Sequence, residues 1–300
     1  MSLPYPPPPK TDFGFGTAYE RVAIYEMIDR WLAAWGDGIR TGAEGFHDGF
    51  TGLPGLHLIP LARRGGKVAV ACVNPTTEAG VRAIYQSLNL DASLQTRLTQ
   101  TPADFADEGP FDVVMLFNPF PYTEDWRGYL AQAAKLSRNR LIVSVANANS
   151  YGALFRRVMK TLRPTGKVDL FDHPATNPAN MRAELSQYGT IETEDFFDCP
   201  WWPDLFVEAG DSIASWLISQ IPFCGKRSRP DQPKPQPESP SGAYLYGPGL
   251  YPFFTPNSPD LIALKEKIKG HPTFDHWKRG LVKEFFGHHR IFVVRRPGHP

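Results

Sequence analysis

The sequence is poor in cysteine and carries no excess of charge of one sign. Its 300 residues include three widely spaced cysteines, Cys72, Cys199 and Cys224. An odd, scattered set excludes a disulfide framework and a cysteine-rich zinc site, and it fits a reducing cytoplasm, where we expect this protein. The 32 basic and 31 acidic residues leave a net charge of +1 at pH 7. No general field therefore attracts nucleic acid or an anionic membrane, and we expect neither as a partner.

Long hydrophobic runs are also missing. No stretch reaches the ~18 uncharged apolar residues needed to span a bilayer. The start of the chain, MSLPYPPPPK, lacks the apolar region of a signal peptide. We therefore expect no transmembrane segment and no signal peptide. By contrast, 30 prolines and an aromatic content of 13% are high values. They indicate long irregular segments held in place by rings and prolines.

Three familiar site motifs do not occur: the dinucleotide fingerprint GxGxxG, the Walker A lysine loop and the nucleophile motif GxSxG. What is present is a glycine-rich stretch at 40–55, RTGAEGFHDGFTGLPG, with five glycines together with Glu44 and Asp48. Glycines permit positive φ angles and the close approach of a ligand to the backbone. An acid at the end of a first strand can accept hydrogen bonds from a ribose or an amine, as in Rossmann-like nucleotide sites.

Short apolar, β-branched runs alternate with amphipathic patterns over the first half of the chain. The predicted strands are 39–44, 67–73, 94–98, 111–117 and 140–145. The predicted helices are 18–35, 77–89 and 124–136, and a further helix is predicted to begin within 56–61. A threonine near the start of 77–89 is a candidate N-cap. This alternation favours right-handed βαβ units and a mostly parallel sheet, in which ligands bind at the carboxyl ends of the strands.

The pattern changes after about residue 180. The predicted helices there are 181–188, 206–223, 258–270 and 275–286, and the predicted strands are 190–197 and 290–294. Residues 226–242 are typical of a flexible or polyproline II loop. The apolar stretch 206–223 favours a lid or a partner interface over a membrane anchor, because Asp211 interrupts it and few basic residues flank it.

This order of elements resembles that of class I S-adenosylmethionine-dependent methyltransferases. The resemblance is carried by a first strand with an acid and glycines, a second strand with a ribose-contact position, a fourth strand ending in Asn118-Pro119, and a late pair of strands. A Trp-Trp-Pro segment and a His-His pair before the last strand suggest a divergent subgroup. The resemblance implies an α/β fold with a Rossmann-like, doubly wound, mostly parallel sheet and an insertion before a last, antiparallel strand.

The resemblance also implies a division of the chain. Family members often carry substrate-recognition elements before the last strand, and the same segment is where we expect any self-association or protein partner to bind. The implied parts are a proline-rich N-terminal arm at 1–17, a methyltransferase core at 18–197, an insertion for substrate recognition or interaction at 198–285, and the last core strand with a tail at 286–300.

S-adenosylmethionine is the cofactor that the resemblance implies, with S-adenosylhomocysteine as the product. Glu44 matches the acid that closes the family's first strand, and Asn74 stands where the family has a ribose-binding carboxylate. Gln100 or Thr101 occupies the position near the adenine amine. The full set of implied cofactor-binding residues is Glu44, Gly45, Asp48, Gly49, Gly52, Asn74, Gln100, Thr101, Asn118 and Pro119.

Three departures from the family pattern favour an alternative function. The glycine loop is irregular and holds His47 and Asp48. Asn74 is neutral and forms weaker hydrogen bonds than a carboxylate. The acid expected near the adenine amine is missing. The alternative is a methyltransferase-like protein that has lost catalysis and binds a ligand or a partner protein.

The catalytic candidates are two histidines and a tyrosine. His288 and His289, just before the last strand, could act as a general base near neutral pH. Adjacent residues of a strand point to opposite faces, so at most one of the two faces a given pocket. Tyr122, just past the fourth strand, is the third candidate.

A metal site would need further ligands beside one of these histidines. His47, Asp48 and Asp198 are the residues that could provide them. The chain lacks the HExxH motif and the helical His/carboxylate spacing of common metal sites. We therefore expect no metal ion.

Asn147, Asn149 and Tyr151, after the fifth strand, and Trp201 and Trp202, beside prolines, are the candidates for a substrate pocket. For the asparagines, the competing interpretation is turn chemistry, in which the side chain bonds to its own backbone. The tryptophans could form an aromatic wall or a cation–π face, or they could pack a corner of the insertion.

The expected function is therefore transfer of a methyl group from S-adenosylmethionine to an O, N or S nucleophile of a small molecule. The alternative is the catalytically lapsed binding protein described above. A nicotinamide-dependent oxidoreductase fits less well, because the first loop lacks GxGxxG and the second strand lacks its ribose acid. The balanced charge disfavours modification of nucleic acid.

Overall fold

The structure of the protein, a computed structural model, describes residues 15–45, 53–99, 101–162, 170–201, 257–271, 273–277 and 280–297. Within these residues, helices cover both faces of a seven-stranded sheet. The strands are β1 Thr41–Glu44, β2 Lys67–Cys72, β3 Leu94–Leu98, β4 Phe111–Phe117, β5 Ser137–Ala146, β6 Thr190–Phe197 and β7 His289–Arg295. The α-helices are α1 Phe15–Trp35, α2 Ile59–Arg63, α3 Pro75–Ser87, α4 Trp126–Leu136, α5 Tyr151–Leu162, α6 Pro178–Leu185, α7 Pro259–Lys269 and α8 Leu281–Phe286.

The strand order across the sheet is β3-β2-β1-β4-β5-β7-β6. Neighbouring strands from β3 to β5 are parallel, whereas β7 runs antiparallel to both β5 and β6. The carboxyl ends of β1 to β6 therefore lie at one edge of the sheet, and so does the amino end of β7. This confirms the predicted doubly wound, mostly parallel sheet with a last antiparallel strand, which is the fold of class I methyltransferases.

Alternate residues of the central strands enter two hydrophobic cores, one on each face of the sheet. Val113 and Met115 of β4 belong to the core built with α1, α2 and α3, whereas Val114 and Leu116 belong to the core built with α4 and α6. Successive side chains of a strand point to opposite faces, which explains this division. All seven residues of β4 are buried, as expected for a parallel strand covered by helices on both faces.

Helix α1 uses its predicted apolar face to cover the first core. Ile24, Ile28 and Leu32 are buried there. Trp31 and Trp35 pack beside them with their rings stacked, the centroids 6.0 Å apart. The helix begins at Phe15, inside the segment predicted as an extended arm. The interpretation of this stripe as a core-facing surface is confirmed.

One predicted helix cap differs from the structure, whereas the helix predicted to begin within 56–61 does begin there, at Ile59. The prediction that a threonine caps the helix at 77–89 is wrong. Helix α3 begins at Pro75, and the Asn74 side chain caps it by accepting a hydrogen bond from the Thr77 amide at 2.8 Å. An asparagine followed by a proline is a favoured helix start. The run at 56–61 forms a 3₁₀ turn, Leu56–Leu58, before the short α2 begins.

Two further elements, β5 and α8, differ from their predicted bounds, and helix α5 was not predicted. Strand β5 begins at Ser137 rather than 140, because α4 passes directly into it and Ser137 pairs with Phe111 of β4. Helix α5 was not predicted, since the asparagine-rich segment before it was read as the end of a strand and a loop. Helix α8 begins only at Leu281, so the predicted helix at 275–286 is too long.

Among the helices of the described residues, none is long and apolar enough to cross a bilayer. The predicted helix at 206–223 and the predicted loop at 226–242 lie outside the described residues. Their structure, and the division of the chain at 198–285, stay predictions.

A buried carboxylate at the amino-terminal edge of the sheet joins three strands. Asp112 of β4 accepts hydrogen bonds from the Arg40 and Thr41 amides, both at 2.8 Å, and from the Arg138 guanidinium at 2.6 Å. Burial raises the pKa of Asp112, but these hydrogen bonds, and one from the Thr41 hydroxyl, outweigh it and lower the pKa below its ordinary value. The ionised carboxylate therefore stabilises the junction of β1, β4 and β5.

Replacing this carboxylate should destabilise the protein in a pH-dependent way. We expect Asp112→Asn to lower the free energy of unfolding by roughly 2 kcal/mol at neutral pH, because charge-assisted hydrogen bonds are lost. A lowered folded-state pKa gives stability above the unfolded-state pKa of about 3.9, which is lost as the pH falls through the folded-state pKa. The difference between wild type and variant in urea unfolding should therefore shrink on acidification. An equal difference in the free energy of unfolding at neutral and at acidic pH would contradict this. Asp91→Asn, at an exposed site, is the control.

Candidate functional site

The carboxyl-terminal edge of the sheet contains a topological switch point between β1 and β4. From β1 the chain proceeds to β2 and β3 on one side of the sheet, whereas β4 and β5 lie on the other side. The loops that leave β1 and β4 diverge at this point, and ligands of open α/β sheets bind in the resulting crevice. Glu44 ends β1 and Asn118 follows β4 on either side of this crevice, with Glu44 in register with Met115 of β4.

Glu44 is buried and is only partly satisfied within the described part of the chain. Its Oε1 atom lies 2.6 Å from Nδ1 of His57, whose ring stacks on Phe117 at a centroid distance of 3.7 Å. Among the described residues, Glu44 Oε2 and His57 Nε2 have no hydrogen-bond partner. Since a buried carboxylate oxygen without a partner is costly, this atom is suited to accept a hydrogen bond from a ligand hydroxyl or amine. His57 was not predicted, because it lies in an apolar run that carries no motif.

Two glycines hold the loop between β1 and α2 against the end of β2. Gly45 has a φ of +120°, and a Cβ atom there would lie 2.2 Å from the carbonyl oxygen of Ala71. Gly55 has a φ of +84°, and its carbonyl oxygen accepts a hydrogen bond of 2.7 Å from the Tyr85 hydroxyl. Only glycine fits the first position, because the conformation and the contact both exclude a side chain. The predicted cofactor residues Asp48, Gly49 and Gly52 lie outside the described residues.

The predicted ribose and adenine positions follow β2 and β3 at the same edge. Asn74 uses its side-chain oxygen to cap α3, so a ribose hydroxyl would compete with the Thr77 amide for it. Thr101 is exposed, and its amide donates to the Thr99 hydroxyl oxygen at 3.3 Å. That hydroxyl donates to the carboxylate of Asp104 at 2.5 Å, an acid that no sequence pattern indicated. Gln100 lies outside the described residues.

Asn118 adopts a left-handed backbone conformation directly after β4. It has a φ of +50°, in the left-handed region that non-glycine residues seldom adopt. Its side chain is buried, and neither amide atom has a hydrogen-bond partner among the described residues. Its backbone amide donates to the Ser144 carbonyl at 2.9 Å, which fixes the residue against β5. Buried strain and unmet hydrogen-bonding capacity occur together at ligand sites. The buried Pro119 and the one-turn helix Phe120–Tyr122 follow directly.

The predicted substrate-pocket residues form the junction of β5, α5 and α8. Asn147 is satisfied structurally: its side-chain amide donates to the carbonyls of Glu284 and Gly287 at 2.7 and 2.8 Å. Asn149 donates to the Glu284 carboxylate at 2.8 Å. Tyr151 donates to the Trp201 carbonyl at 2.6 Å. The Asn147 side chain thus fixes the position of the turn before β7.

Aromatic rings surround this junction on its outer side. Tyr151 stacks on Phe285 at a centroid distance of 5.4 Å and meets the edge of Phe286 at 5.3 Å. The Trp201 side chain is 51% exposed. An exposed aromatic surface of this kind can contact a bound ring or a cation. Trp202 lies outside the described residues.

The two histidines before β7 pair with different carboxylates. His288 places Nδ1 2.7 Å from Asp198 Oδ2, and His289 places Nε2 3.2 Å from Glu20 Oε1. Both histidines are buried, and their ring planes are inclined by 85°. Near them, Asp275 accepts hydrogen bonds from the Cys199 amide and the Tyr19 hydroxyl. Burial raises the pKa of Asp275.

The predicted site residues therefore divide into two groups at one edge of the sheet. Glu44, Gly45 and Asn118 lie at or just after the ends of β1 and β4, on the two sides of the switch point. His288 and His289 lie near the far end of the sheet, where they contact Asp198, which the sequence indicated as a possible partner of one histidine, and Glu20 of α1, which it did not. Strands β4 and β7 are two strand spacings apart, a distance of about 10 Å.

No known protein family matches the sequence, and no curated protein sequence matches it. Among solved structures, similarity is found to magnesium protoporphyrin IX methyltransferase from Synechocystis PCC 6803 with bound S-adenosylhomocysteine (19% identity, 60% of this chain, 77% of that chain, TM-score 0.46). The MccD protein is also similar, with 9% identity over 90% of this chain and 96% of that chain and a TM-score of 0.47. An O-methyltransferase family protein from Burkholderia thailandensis is similar with 19% identity over 55% of this chain and 49% of that chain and a TM-score of 0.41. Similarities at this level carry no argument about activity, so the assignment of the fold depends on the strand order and the antiparallel β7 of the chain itself.

Two asparagines at this edge should respond differently to substitution. Asn118→Gly relieves a positive φ and removes a buried amide that has no partner in the described part of the chain. We expect the free energy of unfolding to change by less than about 1 kcal/mol. Asn147→Ala removes several satisfied hydrogen bonds and should cost about 3 kcal/mol. Denaturant unfolding measures both, and equal destabilisation by the two changes would contradict a ligand-binding role for Asn118.

Proposed function

We propose that the protein transfers a methyl group from S-adenosylmethionine to an O, N or S nucleophile of a small molecule. One observation carries the proposal. Glu44 and Asn118 flank the switch point of a class I methyltransferase fold, and each buries polar atoms that have no partner among the described residues. Native proteins seldom leave such atoms unsatisfied, and their convergence at a ligand-binding edge supports a polar ligand there.

The residues at the switch point are suited to hold this cofactor. The Glu44 carboxylate accepts hydrogen bonds only, so it suits a hydroxyl or ammonium group of the ligand. Gly45 has no side chain, so the ligand can approach the backbone closely. The Asn118 amide can both donate and accept, and the resemblance to the family implies a position beside the sulfonium. The neutral tautomer of His57 with a proton on Nδ1 would hold Glu44 in place.

The protein has little covalent chemistry to perform in this reaction. S-adenosylmethionine supplies a methyl group on a sulfonium, which a nucleophile displaces in line, with the C–S electron pair remaining on sulfur. The residues of the site would align the two reactants and exclude water. His288 and His289 are oriented by carboxylates and are the candidate bases for the proton of the nucleophile, with Tyr122 as the further candidate.

A small-molecule acceptor agrees with the surface around the second group of residues. The balanced charge of the chain disfavours nucleic acid as the acceptor. Trp201 and Phe285 expose 51% and 44% of their surface at the junction of β5, α5 and α8. These rings could contact an apolar or aromatic part of the acceptor.

A second candidate function is a binding protein without catalysis. It is favoured by the contacts that already use two of the implied cofactor acceptors. His57 bonds one oxygen of Glu44, and the Thr77 amide bonds the side-chain oxygen of Asn74. Both contacts reduce the number of acceptors that remain for the hydroxyl and amine groups of the cofactor.

Calorimetry with S-adenosylmethionine and S-adenosylhomocysteine tests the proposed site. The protein must first be checked for ligand that copurifies. We expect micromolar dissociation constants for the wild type and at least tenfold weaker binding for Glu44→Gln, a loss of about 1.4 kcal/mol. Glu266→Gln, which changes an exposed carboxylate of α7, is the matched control and should bind as the wild type does.

The outcome separates the two candidate functions. Absence of binding to either ligand at millimolar concentration would contradict the proposed function. Binding that Glu44→Gln weakens, without formation of S-adenosylhomocysteine from any acceptor in a panel of phenols, amines, thiols and carboxylic acids, would favour the binding protein. Binding with turnover would exclude the binding protein.

A further inference from the structure

Three parts of the chain that are far apart in sequence bring potential metal ligands together at the amino end of β7. Helix α1 contributes Glu20, the residue after β6 is Asp198, and β7 begins with His289. One carboxylate oxygen from each acid and one ring nitrogen of His289 all lie within 4.8 Å of one another. His289 Nε2 and Glu20 Oε1 are 3.2 Å apart. Two ligands at about 2.1 Å from a tetrahedral ion are about 3.4 Å apart, so this spacing fits adjacent ligands of one ion.

Asp198 gives independent evidence for a ligand. Its side chain is only 7% exposed, and its Oδ1 atom has no hydrogen-bond partner among the described residues. It also has a φ of +53°, in the left-handed region that non-glycine residues seldom adopt. A strained backbone that buries a carboxylate oxygen without a partner is costly unless another group compensates for it.

A third carboxylate lies near the two acidic ligands. Asp275 accepts a hydrogen bond from the amide of Cys199, the residue after Asp198, and Lys283 nearby pairs with Asp195 at 2.8 Å. Several carboxylates buried together repel one another and lose hydration. A bound cation would offset both costs.

Neighbouring side chains hold the three residues in place. His288 Nδ1 lies 2.7 Å from Asp198 Oδ2 and so leaves Oδ1 available. Phe197 stacks on the His289 ring at a centroid distance of 5.0 Å. Partners of this kind, which orient the ligands, are a usual part of metal sites.

We propose that Glu20, Asp198 and His289 bind a divalent first-row transition-metal ion. Two carboxylate oxygens and an imidazole nitrogen suit Zn²⁺, Mn²⁺ or Fe²⁺ better than Mg²⁺ or Ca²⁺, which prefer oxygen ligands alone. Three protein ligands leave coordination positions for water or another oxygen. A His289 that binds the ion would not act as the base, which leaves His288 and Tyr122 as the candidates for that role. The expectation of no metal is replaced by this proposal, because the ligands are far apart in the sequence and follow no helical spacing.

Metal binding here does not depend on methyl transfer. One consequence does rest on the proposed function: the ion lies about 10 Å from β4, by two strand spacings. At that distance it would hold an oxygen of the acceptor molecule remote from the methyl group. It would therefore select acceptors that carry a carboxylate, phosphate or carbonyl oxygen.

Titration with Co²⁺, a spectroscopic probe for such sites, tests the proposal on protein treated with a chelator and without S-adenosylmethionine. We expect visible absorption that saturates at one ion per chain and is reversed by Zn²⁺. Glu20→Gln, Asp198→Asn and His289→Gln should each weaken binding at least tenfold. His173→Asn and Glu184→Gln change a histidine and a glutamate that are also buried but lie elsewhere, and they should bind as the wild type does.

Two results would overturn the proposal. The first is a wild-type protein that does not saturate at one ion per chain, and the second is binding by the three ligand variants as tight as that of the wild type. Circular dichroism shows whether each variant is folded. Where a variant is not folded, the broadening of NMR signals by Mn²⁺ in the wild-type protein tests the position of the ion instead. The ion should broaden the ring signals of His288 and His289 before those of His57 and His173, and the reverse order would place it elsewhere.

Discussion

The burial of both faces of the central strands confines polar chemistry to the two edges of the sheet. Every residue of β4 is buried, as is every residue of β7 before Arg295. At the amino-terminal edge, Asp112 accepts hydrogen bonds from three neighbouring residues, Arg40, Thr41 and Arg138. At the carboxyl-terminal edge, Glu44, Asn118 and Asp198 keep atoms that have no partner in the described part of the chain. One edge therefore contributes stability, whereas the other is suited to bind ligands.

The antiparallel β7 extends this second edge beyond the switch point. Because β7 runs against β5 and β6, its first residues, rather than its last, lie beside the carboxyl ends of those strands. Arg290 fixes the start of β7 through Glu194 of β6 and Glu284 of α8, and its guanidinium lies 4.6 Å from the centroid of the Phe196 ring. This charge network holds the adjacent histidines at the edge, within reach of α1.

The sequence predicted the parts of the fold that depend on local pattern. The apolar run at 111–117 and the face of α1 were confirmed, and the resemblance supplied the antiparallel last strand. Contacts such as Glu44 with His57 and Glu20 with His289 were not predicted, because they join residues far apart in the chain and no periodicity encodes them. Asn74 was assigned to a ribose, but its place before Pro75 also makes it a helix cap.

A crystal structure of the protein grown with S-adenosylhomocysteine tests the central claim most directly. The account predicts that the ligand lies between the ends of β1 and β4, with a hydroxyl or ammonium group donating to Glu44 Oε2 and with the Asn118 amide bonded to the ligand. The contradictory result is a ligand bound elsewhere, with Glu44 Oε2 and the Asn118 amide satisfied by residues 46–52. The crevice would then be an internal contact of the fold, and the protein would have no cofactor site at the switch point.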